Sequence, residues 1–220
     1  MPRKIIGGVF QSIDGVMQAP GGPEEDPTGG FEHGGWSAGY WDELMEQVMG
    51  ETMGKPFDLV LGRRTYEIFA AHWPYAEGPA ADALNGATKH VASRTLDTVE
   101  WQRSHLIEGD VPDGVRRLKE QDGPELQVHG SAGLLQTLIA HGLVDEFHVW
   151  TFPVVVGGGK RLFGDGLPGF GLELVDSRTS GTGVVIATYR PAGEIKAGSF
   201  AAAEPSEAEV ARREKLRAEG

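Results

Sequence analysis

The sequence predicts a three-layer α/β domain with a mostly parallel sheet and one antiparallel edge. Apolar runs of strand length alternate with amphipathic segments of helical period, which is the pattern of a parallel sheet whose strands are connected by helices. Two final apolar runs, at 172–178 and 183–191, flank the turn sequence TSGTG. This arrangement predicts an antiparallel hairpin at the C-terminal end of the domain.

The individual elements follow from local patterns. Strands are predicted at residues 4–10, 57–62, 89–96, 125–130 and 146–157, before the hairpin. Helices are predicted at residues 39–53, 65–73 and 131–142. Pro74 ends the second of these helices and Gly142 ends the third. Residues 14–35 are rich in Gly, Pro and Asp and predict a long loop, of the kind that is usually functional or disordered.

The composition changes after Pro191. Residues 192–220 contain few large apolar side chains and many charged ones. We therefore expect a domain over residues 1–191 and a charged tail over 192–220, disordered or partly helical with a helix at about 206–218.

Bulk composition excludes several classes of protein. The chain has 220 residues and no cysteine, which rules out disulfides and thiolate metal sites and is compatible with the cytoplasm. The formal net charge of -12 argues against a nucleic-acid partner. No apolar stretch reaches the ~20 residues of a membrane span, and the N-terminus enters a strand too early for a signal peptide. The histidines lack metal-site spacing, so we expect no metal.

Three predicted strands end in groups that suit an anion. Gly62–Thr65 (GRRT) lie at the end of the strand predicted at 57–62, and Ser93 and Arg94 lie near the end of the strand at 89–96. Gly130–Gly133 (GSAG) lie at the end of the strand at 125–130. Ligands bind beyond the carboxyl ends of strands in such sheets, and helix N-termini attract phosphates. Surface arginines alone are commonly solvated, but their coincidence with two strand–glycine–helix corners favours a phosphate ligand. No GxGxxG fingerprint follows a strand, and in GGGK at 157–160 the lysine is followed by Arg161, where a P-loop has Ser or Thr.

The order of these motifs resembles a known family. SIDG, LGRRTYE, VASRTL, VHGSAGLLQTLIAHGLVDEFHV and PVVVGGGKRLF follow one another along about residues 3–190. The sequence is similar to the dihydrofolate reductase-like superfamily, and within it to the branch with the C-terminal reductase domain of bifunctional riboflavin-biosynthesis proteins. The resemblance implies a three-layer α/β/α fold. The cysteine-containing zinc deaminase motif of those bifunctional proteins is absent.

The resemblance also implies an NADPH-dependent reductase. Gly62, Arg63, Arg64 and Thr65 would hold cofactor phosphates, Ser93 and Arg94 would lie at the adenosine ribose and its 2′-phosphate, and Gly130, Ser131, Ala132 and Gly133 would follow the pyrophosphate. The substrate would be a pyrimidine or pterin-like heterocycle, with 5-amino-6-(5-phosphoribosylamino)uracil as the leading example. Members of this branch are often dimers, so the resemblance is compatible with a homodimer.

Hydride transfer often needs a proton donor beside the acceptor carbon. We expect Asp14, beside the first strand, and Glu46 to be catalytic. Glu46 is chosen because dihydrofolate reductases have a pterin-binding acid on the helix before the GRRT strand, and counting back from Gly62 places Glu46 near that position. Ser12, Asp42 and Trp36 are expected to bind substrate, and the glycine-rich stretch 21–35 is a candidate lid. Two alternatives stay open, namely a catalytically silent nucleotide-binding module and a broad-range dihydrofolate or flavin reductase.

Overall fold

A computed structural model describes residues 2–200 and 204–219. The strands are β1 (Ile5–Ser12), β2 (Phe57–Gly62), β3 (Lys89–Ala92), β4 (Ser104–Leu106), β5 (Glu125–His129), β6 (Glu146–Phe152), β7 (Leu172–Thr179) and β8 (Val185–Pro191). The helices are α1 (Glu43–Met53), α2 (Arg63–His72), α3 (Pro79–Gly86), α4 (Val111–Glu120), α5 (Ala132–Ala140) and α6 (Glu207–Glu219).

All eight strands form one sheet in the order β4-β3-β2-β5-β1-β6-β8-β7. Every neighbouring pair from β4 to β6 is parallel, whereas β8 runs antiparallel to both β6 and β7. The predicted fold class, a mostly parallel sheet closed by an antiparallel C-terminal hairpin, is therefore confirmed.

The helices cover both faces of the sheet because its strands are apolar on both sides. On β2, Val60 packs in the cluster that includes Val115 of α4 and Leu138 of α5. Its neighbours Leu59 and Leu61 point to the opposite face and pack with residues of α2 and α3. Because successive side chains of a strand point to opposite faces of the sheet, the core is divided into two clusters, one under each layer of helices.

Three elements, β3, β6 and α1, begin or end at least four residues from the predicted position, each for a local reason. β3 ends at Ala92 because the Ser93 hydroxyl accepts the N–H groups of Thr95 at 3.1 Å and Leu96 at 2.9 Å and turns the chain. β6 ends before Pro153, which has no N–H for the sheet. α1 begins at Glu43 rather than 39 because Asp42 caps it, accepting from the Met45 N–H at 3.0 Å.

α3, β4 and α4 were not predicted. β4 has three residues, and α4 contains Gly114, which weakens its helical pattern. The glycine is there because of tertiary packing, since a Cβ at Gly114 would lie 2.3 Å from Cγ2 of Ile107. A close contact of this kind is not visible in a local pattern.

The C-terminal segment forms α6, where a helix was expected at about 206–218. The division of the chain at residue 191 stays a prediction. Within the described ranges, no helix has both the length and the apolar character needed to cross a membrane.

Candidate functional site

One large cleft lies at the carboxyl ends of the parallel strands. Its volume is about 1590 Å³, which is ample for a dinucleotide with a second small molecule. Its walls come from β1, β5 and β6, from residues 17–26, and from the first turns of α2 and α5. The topology explains the position, because the strand ends of a parallel sheet open on one side where the connections to helices begin.

The structure brings together all ten residues that were predicted to bind a cofactor. They form one wall of the cleft, called here the cofactor corner, which consists of Gly62, Arg63, Arg64, Thr65, Ser93, Arg94, Gly130, Ser131, Ala132 and Gly133. They come from the ends of β2, β3 and β5, which are adjacent in the sheet.

Ser131 joins two segments of the cofactor corner. Its hydroxyl accepts the backbone N–H of Gly62 at 3.0 Å and donates to Oγ1 of Thr65 at 2.6 Å. The residue has φ of 61°, in the left-handed region, which turns the chain sharply between β5 and α5. Gly62 needs to be small, since a Cβ there would lie 3.0 Å from the Ser131 hydroxyl oxygen.

Two helix N-termini open into this corner. Neither α2 nor α5 has a side-chain cap, so their first-turn N–H groups stay available and the positive dipole ends face the cleft wall. Arg64 and Arg94 form no ion pair with any carboxylate in the part of the chain that the structure describes, and Arg63 lies 3.9 Å from Glu67. In a chain of net charge -12, this local positive potential is suited to a multiply charged anion.

A loop covers the cleft beside the corner. Gln18 Nε2 donates to the carbonyls of Asp26 and Thr28, both at 2.9 Å. Lys160 forms an ion pair with Asp26, and Arg64 donates to the Thr28 hydroxyl at 2.9 Å. The segment 18–28 is thus folded on itself and attached to two cations of the cleft. The role of the stretch 21–35 as a lid stays a prediction.

The far end of the cleft is mainly apolar. Phe10 and Trp150 lie there with ring centroids 5.0 Å apart, and Met49 of α1 lines the same wall. The polar exceptions are three strand residues that point into the cleft: Gln127, His129 and His148. Burial lowers the pKa of His129 to about 4, and the neighbouring His148 adds to that shift. No role was assigned to these three residues from the sequence, although polar side chains in otherwise apolar strands mark such positions.

The predicted catalytic residue Asp14 does not line the cleft. Its carboxylate accepts from Ser12 Oγ at 2.6 Å and from the N–H groups of Val156 at 3.1 Å and Gly157 at 2.8 Å. The Ser12 hydroxyl, followed by these backbone groups and against the opposing effect of burial, lowers the pKa of Asp14 to about 2. Asp14 therefore fixes the loop after β6 to the end of β1, where the fully buried Ser12 donates to it, and a carboxylate so strongly stabilised as an anion is a poor proton donor.

Glu46, the second predicted catalytic residue, and the predicted substrate residues Asp42 and Trp36 do not line the cleft either. Glu46 is exposed, and the residues of α1 that line the cleft are Met49 and Thr52. The positional count thus reached a helix of the cleft but a residue that does not face it. Asp42 caps α1, and the indole of Trp36 donates to the Gln18 carbonyl at 2.8 Å while its ring packs edge-on against Phe152.

Among the described residues, no group of three or more His, Cys, Asp or Glu side chains could hold a metal ion. The polar groups that line the cleft are arginines, helix ends, hydroxyls, imidazoles, amides, Lys160 and the carboxylates of Glu24, Glu25, Asp26 and Asp110.

Comparison with known proteins identifies the family. Residues 3–186 match the sequence profile of the RibD C-terminal domain. The chain belongs to the RibD C-terminal domain family. In Bacillus subtilis strain 168, the uncharacterised protein YyaP is 29% identical over 197 residues, which cover 85% of this chain and 94% of YyaP.

Three solved structures share the fold of this RibD C-terminal domain protein. A Shewanella sp. PV-4 protein, provisionally named a riboflavin biosynthesis protein, superimposes with a TM-score of 0.61 at 20% identity, covering 87% of this chain and 99% of its own. Dihydrofolate reductase from Enterococcus faecalis, complexed with NADP(H) and RAB-propyl, gives 0.53 at 15% identity, with 86% and 96% covered. A pyrimidine reductase-like protein from Corynebacterium diphtheriae gives 0.53 at 14%, with 86% and 92% covered. The fold is therefore dihydrofolate reductase-like, and the family supports a reductase.

Proposed function

We propose that this protein is an NADPH-dependent reductase of a pyrimidine or pterin-like heterocycle. The observation that carries the proposal is the cofactor corner, where ten residues from three strand ends line one cleft with two uncapped helix N-termini. The membership of the RibD C-terminal domain family and the NADP(H) complex of the E. faecalis neighbour support the same choice.

The residues present fit a dinucleotide that carries an additional phosphate. The first turns of α2 and α5 offer free N–H groups for the pyrophosphate, with Gly130 and Gly133 leaving open space beside the backbone. Arg63 and Arg94 would hold the 2′-phosphate that distinguishes NADPH from NADH. When bound, NADPH supplies the hydride, and the chain itself binds the cofactor, orients it and excludes water with the loop 18–28.

The substrate follows from the shape and polarity of the far end of the cleft. The aromatic and methionine side chains there suit a flat heterocycle, and the fold neighbours include a pyrimidine reductase-like protein. We therefore propose a pyrimidine or pterin-like ring, with 5-amino-6-(5-phosphoribosylamino)uracil as the leading example.

The first experiment is a titration of NADPH and NADH into the wild type and the Arg63→Ala/Arg94→Ala variant, followed by cofactor fluorescence. Loss of two charge-assisted contacts is expected to weaken NADPH binding by roughly 100-fold or more and to remove its preference over NADH. The matched control is Arg212→Ala/Arg213→Ala, which removes the same charge from exposed positions on α6 and is expected to bind NADPH like the wild type.

Failure of the wild type to bind either cofactor would overturn the proposal. Tight NADPH binding without oxidation by any pyrimidine, pterin, dihydrofolate or flavin substrate would instead favour the catalytically silent nucleotide-binding module. Turnover of dihydrofolate or flavin alone would favour the broad-range reductase.

A further inference from the structure

We propose that His129 and His148 recognise the substrate, and that the Nδ1 atoms of the two rings accept hydrogen bonds from N–H groups of a heterocycle bound in the cleft. This inference rests on the proposed function, because it assigns the polar contacts of the same cleft. It names two specificity-determining residues and the substrate edge that they require, which is rich in hydrogen-bond donors.

Strand register places the two imidazoles on either side of one glycine. Gly8 of β1 is paired with His129 of β5 on one side and with His148 of β6 on the other. Directly paired residues of neighbouring strands point to the same face of a sheet, and all three of these residues line the cleft. His129, Gly8 and His148 thus lie side by side on three neighbouring strands, with the two imidazole rings on either side of a residue that has no side chain.

The space over Gly8 is open to the cleft, and no neighbouring group that the structure describes requires a glycine at this position. A Cβ at Gly8 would lie 3.9 Å from Cδ2 of His129, an ordinary contact distance, whereas a Cβ at the adjacent Gly7 would lie 3.0 Å from Leu135. Gly7 is therefore small because a helix packs on it. The space over Gly8 is open and lies on the Cδ2 side of the His129 ring.

Hydrogen bonds to neighbouring residues select the tautomer of each ring. Nε2 of His129 lies 2.7 Å from Oε1 of Gln127, whose own amide nitrogen donates to Glu125 at 2.6 Å. Gln127 therefore presents its oxygen to the ring, and Nε2 of His129 is the donor. Nε2 of His148 likewise donates to the Glu146 carboxylate at 2.9 Å.

In its neutral form each ring consequently keeps Nδ1 as an acceptor. Within residues 2–200 and 204–219, no protein group hydrogen-bonds to either Nδ1 atom, and burial keeps His129 neutral near pH 7 because it lowers the pKa of the ring to about 4. Two free acceptors in the lining of the cleft match a ligand that carries several N–H or NH₂ donors, as an aminopyrimidine does. A ligand without these donors would leave both nitrogens unpaired.

The position of the pair favours the substrate over the cofactor. His129 comes immediately before Gly130 of the cofactor corner, and Trp150 follows His148 on the same face of β6. The pair therefore lies between the phosphate-binding wall and the aromatic end of the cleft, where the reacting rings meet.

The test is calorimetric titration of 6-aminouracil, which is rich in donors, and 1,3-dimethyluracil, which has none, into the protein saturated with NADP⁺. We expect the wild type to prefer 6-aminouracil. His129→Phe and His148→Phe keep a flat ring but remove the acceptor, so each is expected to weaken 6-aminouracil binding by roughly 10-fold and to leave 1,3-dimethyluracil unchanged. Gly8→Val fills the open space at this position and is expected to weaken binding of both compounds.

The control is His141→Phe, an exposed histidine outside the cleft, which is expected to bind both compounds like the wild type. Long-range ¹H–¹⁵N spectra at pH 7.5 give an independent measurement: the Nδ1 resonance of His129 should have the shift of an unprotonated nitrogen and move when 6-aminouracil is added.

Unchanged 6-aminouracil affinity in both phenylalanine variants, or a proton on Nδ1 of His129, would overturn the inference. NADP⁺ affinity is expected to stay the same in every variant because the cofactor corner is intact. If the wild type binds no NADP⁺ at all, the proposed function fails, and the same titrations with the free protein still decide the role of the histidines.

Discussion

At the scale of single residues, Asp14 shows how the carboxylate of a short polar motif can hold two segments of the chain together. The SIDG stretch places a carboxylate at the end of β1, where a catalytic acid is expected. In the structure, three donors satisfy that carboxylate, and two of them belong to the loop after β6. Asp14 therefore fixes that loop to the end of β1.

Asp14→Ala is expected to lower the free energy of unfolding by about 2 kcal/mol, because two backbone N–H groups and the Ser12 hydroxyl lose their acceptor. Urea denaturation measures the loss. Asp14→Asn keeps one acceptor oxygen and is expected to lose less. A variant with unchanged stability but abolished turnover would show that the carboxylate has a catalytic role after all.

Ser131 is the residue on which the cofactor corner depends most directly. Ser131→Ala removes the acceptor for the Gly62 N–H and the donor to Thr65, so stability is expected to fall by about 1 kcal/mol and NADPH affinity to fall with it. Thermal unfolding and cofactor titration measure the two effects. Ser180→Ala, outside the cleft, removes a hydroxyl that accepts the Val184 N–H at 3.0 Å and serves as the control. Equal cofactor affinity in both variants would contradict a role for Ser131 in the corner.

At the scale of elements, α1 depends on its N-terminal cap. Asp42→Ala removes the side-chain acceptor of the Met45 N–H and is expected to cost about 1 kcal/mol of stability, whereas Asp42→Ser retains a capping oxygen and is expected to lose little. Urea denaturation distinguishes the two variants. If both variants bound heterocycles poorly while unfolding like the wild type, the original assignment of Asp42 to the substrate would regain support.

At the scale of the whole molecule, the buried imidazole of His129 links stability to pH. Its folded pKa of about 4 lies below the usual value of about 6.5, so the unfolded chain binds the proton first. The contribution of the neutral His129 ring to the free energy of unfolding is complete above about pH 6.5. The free energy of unfolding then falls as the pH decreases toward about 4, by at most about 3 kcal/mol. His90, whose pKa is also lowered chiefly by burial, adds to the same trend.

This dependence is measured by urea denaturation of the wild type and His129→Phe between pH 7.5 and pH 4.5. We expect a shallower decrease in the variant, with the remaining slope due to His90 and other groups. Parallel curves for the two proteins would mean that His129 titrates normally and is not buried as described.

The sequence by itself determined the fold class and the ten residues that converge on one wall of the cleft. Both depend on local sequence patterns. The fold class follows from apolar runs that alternate with segments of helical period. The corner follows from a glycine between a strand and a helix, at Gly62 and Gly130, and this pattern does not depend on where the strand lies in the sheet. Since parallel strands end on one side, the three predicted segments converge without further information.

The tertiary structure alone decided which polar side chains face the cleft. Gln127, His129 and His148 become neighbours only through the register of β5, β1 and β6, which joins residues far apart in the chain. Glu46 lies on the outer face of α1 although its sequence position is close to that of the cleft-facing Met49. Side-chain direction and strand register are set by packing across the core, so residue types and spacing predict a phosphate-binding corner but leave the substrate contacts undetermined.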